Sequence, residues 1–277
     1  MWCEIDGVQI HYETFGEGPP VILLHGWSMD HHIEAMDYEP IFARRSGWQR
    51  YYLDLPGMGQ SISQEWVRTQ DDILTVVLRF IDHVLPGRRF ALAGTSLGAY
   101  LARGVVRDRA AAIDGLLLRM PCVIADNARR TLPVFQPLIR DDRVMAALSD
   151  TEREELKEVL VERADFIRAL QPISREVRRV ESVAAEVTRE IRADTSRYGF
   201  SFDVDALTVP FGAPTLIITG RQDTAVGYRD AWQIIENYPR ATFAVMDRAD
   251  HGWPVDRLEL FHSLVNDWLD RIEEMPT

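Results

Sequence analysis

The chain has 277 residues, 46% of them hydrophobic, enough to fill one large domain or a domain with a sizeable insertion. Its 31 basic and 43 acidic side chains leave a net charge of −12, which repels phosphate backbones and anionic bilayers and argues against nucleic acid or membrane partners. Two cysteines, Cys3 and Cys122, argue against a disulfide framework. The N-terminus lacks the basic region and apolar run of a signal peptide, and no apolar stretch reaches membrane-spanning length, so a cytoplasmic protein is expected. No cysteine and histidine spacing indicates a metal site, and no cofactor is expected.

Residues 2–5 and 8–14 are rich in β-formers and flank Asp6-Gly7, a strong hairpin signal, so the chain begins antiparallel. Residues 21–24 are an apolar run without polar alternation, the mark of a strand covered on both faces. The run ends in His25-Gly26-Trp27, where glycine allows a close backbone approach and leaves the Trp27 N–H facing a cleft. His25 either borders that cleft or is hydrogen-bonded internally. Residues 50–53 form the next strand. In the loop 54–61 that follows, Asp54 can bond the amides of its own turn and brace it. Residues 71–85 place Ile73, Leu74, Val77, Leu78 and Ile81 on one helical face, and Pro86-Gly87 ends the pattern.

Residues 90–102 read as a buried strand, a five-residue turn with glycine at both ends, and a helix, with Ser96 at the apex. So sharp a reversal strains the apex backbone, and Gly94 and Gly98 remove Cβ atoms that would clash. Ser96 Oγ is lifted clear of the sheet, and the helix N-terminus presents the Leu97 N–H to a developing oxyanion. An ordinary small-residue turn fits the same stretch, so the rest of the chain decides.

Residues 115–118 are another apolar strand, which Pro121 stops. Arg119 at its end and Cys122 beside it, with His25, are candidates for substrate contact. Arg119 can anchor a carboxylate or sit in a buried ion pair. From 121 to 209 no buried-type strand occurs, and helical runs over 151–170 and 174–192 read as an inserted cap. Val177, Val180, Val183, Ala184, Val187 and Ile191 form one apolar stripe that must lie against something, a coiled-coil partner being the alternative to the core. The sheet resumes at 213–219, followed by Gly220-Arg221-Gln222-Asp223. A helix at 231–238, a last strand at 242–246, the loop Asp250-His251-Gly252-Trp253 and a closing helix from Val255 to Ile272 complete the chain. The order Ser96, Asp223, His251 is the chain order of one serine hydrolase architecture.

Taken together, His25-Gly26, the loop 54–61, Gly94 to Gly98, Gly220 to Asp223 and Asp250-His251-Gly252 resemble the α/β-hydrolase superfamily, capped serine-nucleophile branch, over nearly the whole chain. The resemblance implies an α/β-hydrolase fold: a mostly parallel eight-stranded sheet with a helical cap inserted after the sixth strand. Residues 1–120 and 210–277 would form the core and 121–209 the cap. It also implies a catalytic triad of Ser96, Asp223 and His251, with the Trp27 and Leu97 amides as oxyanion hole. Two positions depart from the common pattern. Ala99 replaces a second glycine, and Asp250 stands where many members have glycine, which leaves open which acid partners His251. The expected activity is hydrolysis of a small-molecule carboxylic ester or lactone through an acyl-enzyme. Carbon–carbon bond hydrolysis and removal of an N-terminal proline fit the same triad, and a non-catalytic ligand-binding protein fits the same scaffold. Substrate and oligomeric state stay open.

Overall fold

Asp6 and Gly7 both have positive φ (48° and 83°), which closes the tight turn between β1 (Trp2–Ile5) and β2 (Val8–Phe15). A computed structural model describes residues 1–252 and 257–275 of the chain. The other strands are β3 (Pro20–Leu24), β4 (Gln49–Leu53), β5 (Phe90–Thr95), β6 (Ile113–Arg119), β7 (Thr215–Gly220) and β8 (Ala241–Met246). They form one eight-stranded sheet in the order β1-β2-β4-β3-β5-β6-β7-β8. β1 and β2 pair antiparallel, as do β2 and β4, and every later pairing is parallel. The central strands β3 and β5 are buried at every position, which is why their sequences show no alternation.

The helices are α1 (His31–Phe42), α2 (Gln70–Val84), α3 (Leu97–Arg109), α4 (Asp142–Ala146), α5 (Asp150–Glu155), α6 (Ala164–Val183), α7 (Glu186–Ala193), α8 (Thr195–Tyr198), α9 (Arg229–Gln233) and α10 (Leu258–Glu273). α1 packs on α10 and α2 on α3, and each pair covers the sheet. α2 begins with a capping box in which Thr69 and Asp72 satisfy each other's backbone amides. α1 has no apolar stripe to announce it, because the side it buries carries His31, Glu34 and Asp37 beside Ile33, Tyr38 and Ile41.

Between β6 and β7 the chain forms α4 to α8 and a small separate core of Leu156, Val159, Leu160, Val161, Phe166 and Ile167. Two helical runs expected here are redistributed. The first is interrupted after α5, where Val161 bridges to Ile139, and α6 then continues through Pro172. The second breaks at Ala184 and Ala185, whose backbones turn extended so that the Ala185 N–H reaches Gly57 O at 2.9 Å. The stripe is therefore split: Val180 and Ile191 are buried, but Val183 is exposed. The helix expected at 231–238 likewise divides at Ile234 into α9 and a 3-10 turn, Ile235–Asn237, which ends where Tyr238, preceding Pro239, leaves the helical region. Trp253 and Val255, expected in the last loop and at the start of the last helix, lie outside the described residues. Among the described residues, no helix is long and apolar enough to cross a membrane.

Candidate active site

Ser96 sits at the C-terminal end of β5, immediately before α3, with φ 53° and ψ −107°, a conformation that costs a non-glycine residue energy. The flanking glycines show what holds it. A Cβ on Gly94 would lie 2.3 Å from the Gly98 carbonyl oxygen, and one on Gly98 would lie 1.9 Å from the Leu24 carbonyl oxygen. Neither side chain can exist while β3, β5 and α3 meet this closely. The turn after β3 packs against the same spot, since a Cβ on Gly26 would meet the Ser96 Cβ at 3.2 Å. The backbone N–H groups of Trp27 and Leu97 flank this junction and have no protein acceptor among the described residues.

From the far end of the sheet, the loops after β7 and β8 bring two more groups to Ser96. His251 Nε2 accepts from Ser96 Oγ at 2.9 Å, and His251 Nδ1 donates to Asp223 Oδ2 at 2.9 Å. Asp223 is fully buried, and its other oxygen accepts the amides of Ala225 (2.8 Å) and Val226 (2.9 Å). Burial works to raise its pKa, but the facing His251 and these amides outweigh it and hold the carboxyl below its ordinary value. Asp250, the other candidate acid, instead accepts the Gly252 amide at 2.8 Å, and burial raises its pKa.

A cavity of about 320 Å³ opens beside Ser96 and His251. It is lined by Trp27, Thr224, Ala225 and Val226 from the strand-end loops and by Asn127, Arg130, Leu132, Arg192 and Tyr198 from the segment between β6 and β7.

His25, Arg119 and Cys122 do not border this cavity, which corrects their expected place beside the substrate. His25 is fully buried; its Nε2 accepts the Leu55 amide at 2.9 Å, so the ring proton is on Nδ1, facing the Gly26 carbonyl at 2.8 Å. Burial lowers its pKa and keeps it neutral, and it ties the Gly26 turn to the loop after β4. Arg119 is buried in an ion pair with Asp37 of α1. The Cys122 thiol is buried, its pKa raised by desolvation, and it accepts from Tyr198 Oη at 3.2 Å.

Asp54 braces its own loop. Its Oδ1 accepts from His31 N–H (2.7 Å) and His31 Nδ1 (2.9 Å), and its Oδ2 accepts from Gln60 N–H (2.8 Å). Burial opposes its ionisation, but these bonds and the neighbouring histidines pull its pKa down to about 2. His11, His31 and Asp54 together place donor atoms within 4.8 Å of one another, yet the carboxylate is committed to loop amides, so the cluster closes a turn. Glu34, which no sequence pattern marks, accepts from Thr95 Oγ1 at 2.7 Å directly behind the elbow. Burial pushes its pKa up to about 7 against the pull of Arg119 and Thr95.

The sequence model of the alpha/beta hydrolase family matches residues 21–262. The chain belongs to the alpha/beta hydrolase family. It is similar to a pimeloyl-[acyl-carrier protein] methyl ester esterase of Legionella pneumophila (21% identical, covering 95% of this chain and 100% of the relative). The same-named esterase of Aeromonas hydrophila is 25% identical over 88% of this chain and 93% of its own length. Among solved structures, an alpha/beta superfamily hydrolase from Oenococcus oeni superposes with a TM-score of 0.79 at 25% identity, covering 96% of this chain and 97% of that one.

Proposed function

We propose that this protein hydrolyses a small-molecule carboxylic ester through an acyl-enzyme on Ser96. The observation that carries the reading is the continuous hydrogen-bond relay from Ser96 through His251 to the buried Asp223, both links at 2.9 Å. Esterase names among the relatives agree with it. As Ser96 Oγ attacks the ester carbonyl, its proton passes to His251 Nε2, which then delivers it to the departing alkoxide. A water molecule repeats the attack on the acyl-enzyme, giving its proton to the same nitrogen, and the acid leaves as Ser96 recovers its own. Asp223 holds the ring with Nδ1 protonated and stabilises the imidazolium formed on the way. The Trp27 and Leu97 N–H groups would receive the oxyanion, each such donor being worth about 3 kcal/mol in the transition state. Residues 121–209 would act as the cap, supplying the cavity wall opposite the strand ends and excluding water.

Neither nearby serine offers a competing relay: Ser28 Oγ donates to Glu181 and Ser61 Oγ to the Asp54 carbonyl. Labelling with a fluorophosphonate probe tests the reading. The native protein is expected to label and Ser96→Ala to stay dark while remaining folded. A native protein that resists the probe under conditions that label a known serine hydrolase would remove the activated serine.

A further inference from the structure

We propose that the ester this site accepts carries a negative charge and that Arg192 is the residue that recognises it; the proposal rests on the hydrolase reading above. The chain as a whole is strongly acidic, at −12, yet the cavity beside Ser96 is lined by two guanidiniums, Arg130 and Arg192, and by no carboxylate among the described residues. A positive cavity in a negative protein concentrates anions.

The two arginines differ in what they leave available. Arg130 donates from Nε to the Ile124 carbonyl (2.7 Å), from Nη1 to Ala225 (2.8 Å) and from Nη2 to Ala125 (3.1 Å). Nη2 also reaches Cys122 Sγ at 3.3 Å, so the fork is occupied by neutral groups and contributes a fixed charge to the wall that no carboxylate among the described residues pairs with. Arg192 is exposed, lines the cavity and makes one hydrogen bond among the described residues, from Nη1 to Ser28 Oγ at 3.2 Å. Most of its donors are unused. Arg178 pairs with Glu155, Arg179 with Asp30 and Glu176, and Arg197 with Glu190, whereas Arg189, which donates to the Ala184 carbonyl, lines only the second cavity described below.

Arg192 also stands between two cavities. The second, of about 270 Å³, shares Trp27 and Arg192 with the first and adds the apolar surface of Met58, Val180 and Ala184. Glu181 is on that second side, held by Ser28 Oγ at 2.5 Å, so Ser28 stands between it and the guanidinium. Among the described residues, no carboxylate lines the Ser96 side. A guanidinium with free parallel donors is matched to a carboxylate, and a bidentate pair there would fix the ester relative to Ser96.

The experiment compares charged esters with uncharged counterparts. Methyl hydrogen adipate against methyl hexanoate places the carboxylate on the acyl side, and 4-acetoxybutanoate against butyl acetate places it on the alcohol side. In at least one pair the charged member is expected to be favoured in kcat/KM by about tenfold or more. Arg192→Gln should lower that ratio about tenfold, equivalent to about 1.4 kcal/mol. Arg192→Lys should keep part of it, and added salt should weaken it. Calorimetric titration of Ser96→Ala with the same esters reads binding without chemistry. If the native protein hydrolyses none of them but Ser96→Ala binds the charged member in an Arg192-dependent way, the hydrolase reading fails and the anion site stands. Equal treatment of charged and uncharged esters, or a ratio that Arg192→Gln leaves unchanged, overturns the anion site even if hydrolysis is robust.

Discussion

Asp223 Oδ2 lies 2.9 Å from His251 Nδ1, although 28 residues separate the two in the chain. Asp250, directly beside His251 in sequence, turns its carboxylate to the Gly252 amide. Asp223→Asn is therefore expected to lower the rate on a short p-nitrophenyl ester by about 10³- to 10⁴-fold, because the wrong tautomer of His251 becomes favoured. Asp250→Asn should stay within about tenfold of the native rate, having lost a loop contact worth about 1 kcal/mol. Steady-state kinetics on the two purified variants decides. A reversed order of damage would make Asp250 the orienting acid.

The elbow's glycines are predicted to be a stability requirement. Gly98→Ala would place its Cβ 1.9 Å from a backbone oxygen of β3, and backbone cannot swing aside as a side chain can. A loss of about 3 kcal/mol or more, or failure to fold, is expected from this overpacking. Gly212 provides the control, with nothing within 4 Å of its would-be Cβ and no positive φ. Gly212→Ala should be neutral or slightly stabilising. Urea midpoints of both variants test the contrast; equal stability would show that the sheet and α3 can separate without cost.

Glu34 makes stability depend on pH in a particular direction. Its folded-state pKa, pushed up to about 7, exceeds its ordinary value of 4.5, so between those limits the native state holds more of a proton than the unfolded chain does. Its contribution is fully present below pH 4.5 and is lost as pH rises through 7. Glu34→Gln mimics the protonated form and removes this dependence. The variant should match the native protein near pH 5 and exceed it near pH 8, by about 3 kcal/mol at most. Denaturant titrations at the two pH values measure the gap. A gap that does not widen with pH would show that Glu34 is ionised in the folded state without penalty.

The sequence alone determined most of the sheet, because buried parallel strands must be written as unbroken apolar runs and the Asp6-Gly7 turn needs residues that accept positive φ. It also marked Ser96, Asp223 and His251 as residues at strand ends, since loops there carry the polar groups that apolar strands cannot. α1 escaped because periodicity detects apolar faces, and the side it buries is partly charged. Only the tertiary structure decided which of two aspartates reaches His251, and which of the polar candidates are wall and which are scaffold. His25 and Arg119 find their partners, Leu55 and Asp37, through packing of elements remote in sequence, 30 and 82 residues away. The same packing turned the expected 174–192 helix at Ala184 and brought Arg192 to the cavity beside Ser96. Such contacts depend on distances between elements, which a linear pattern of residue types does not carry.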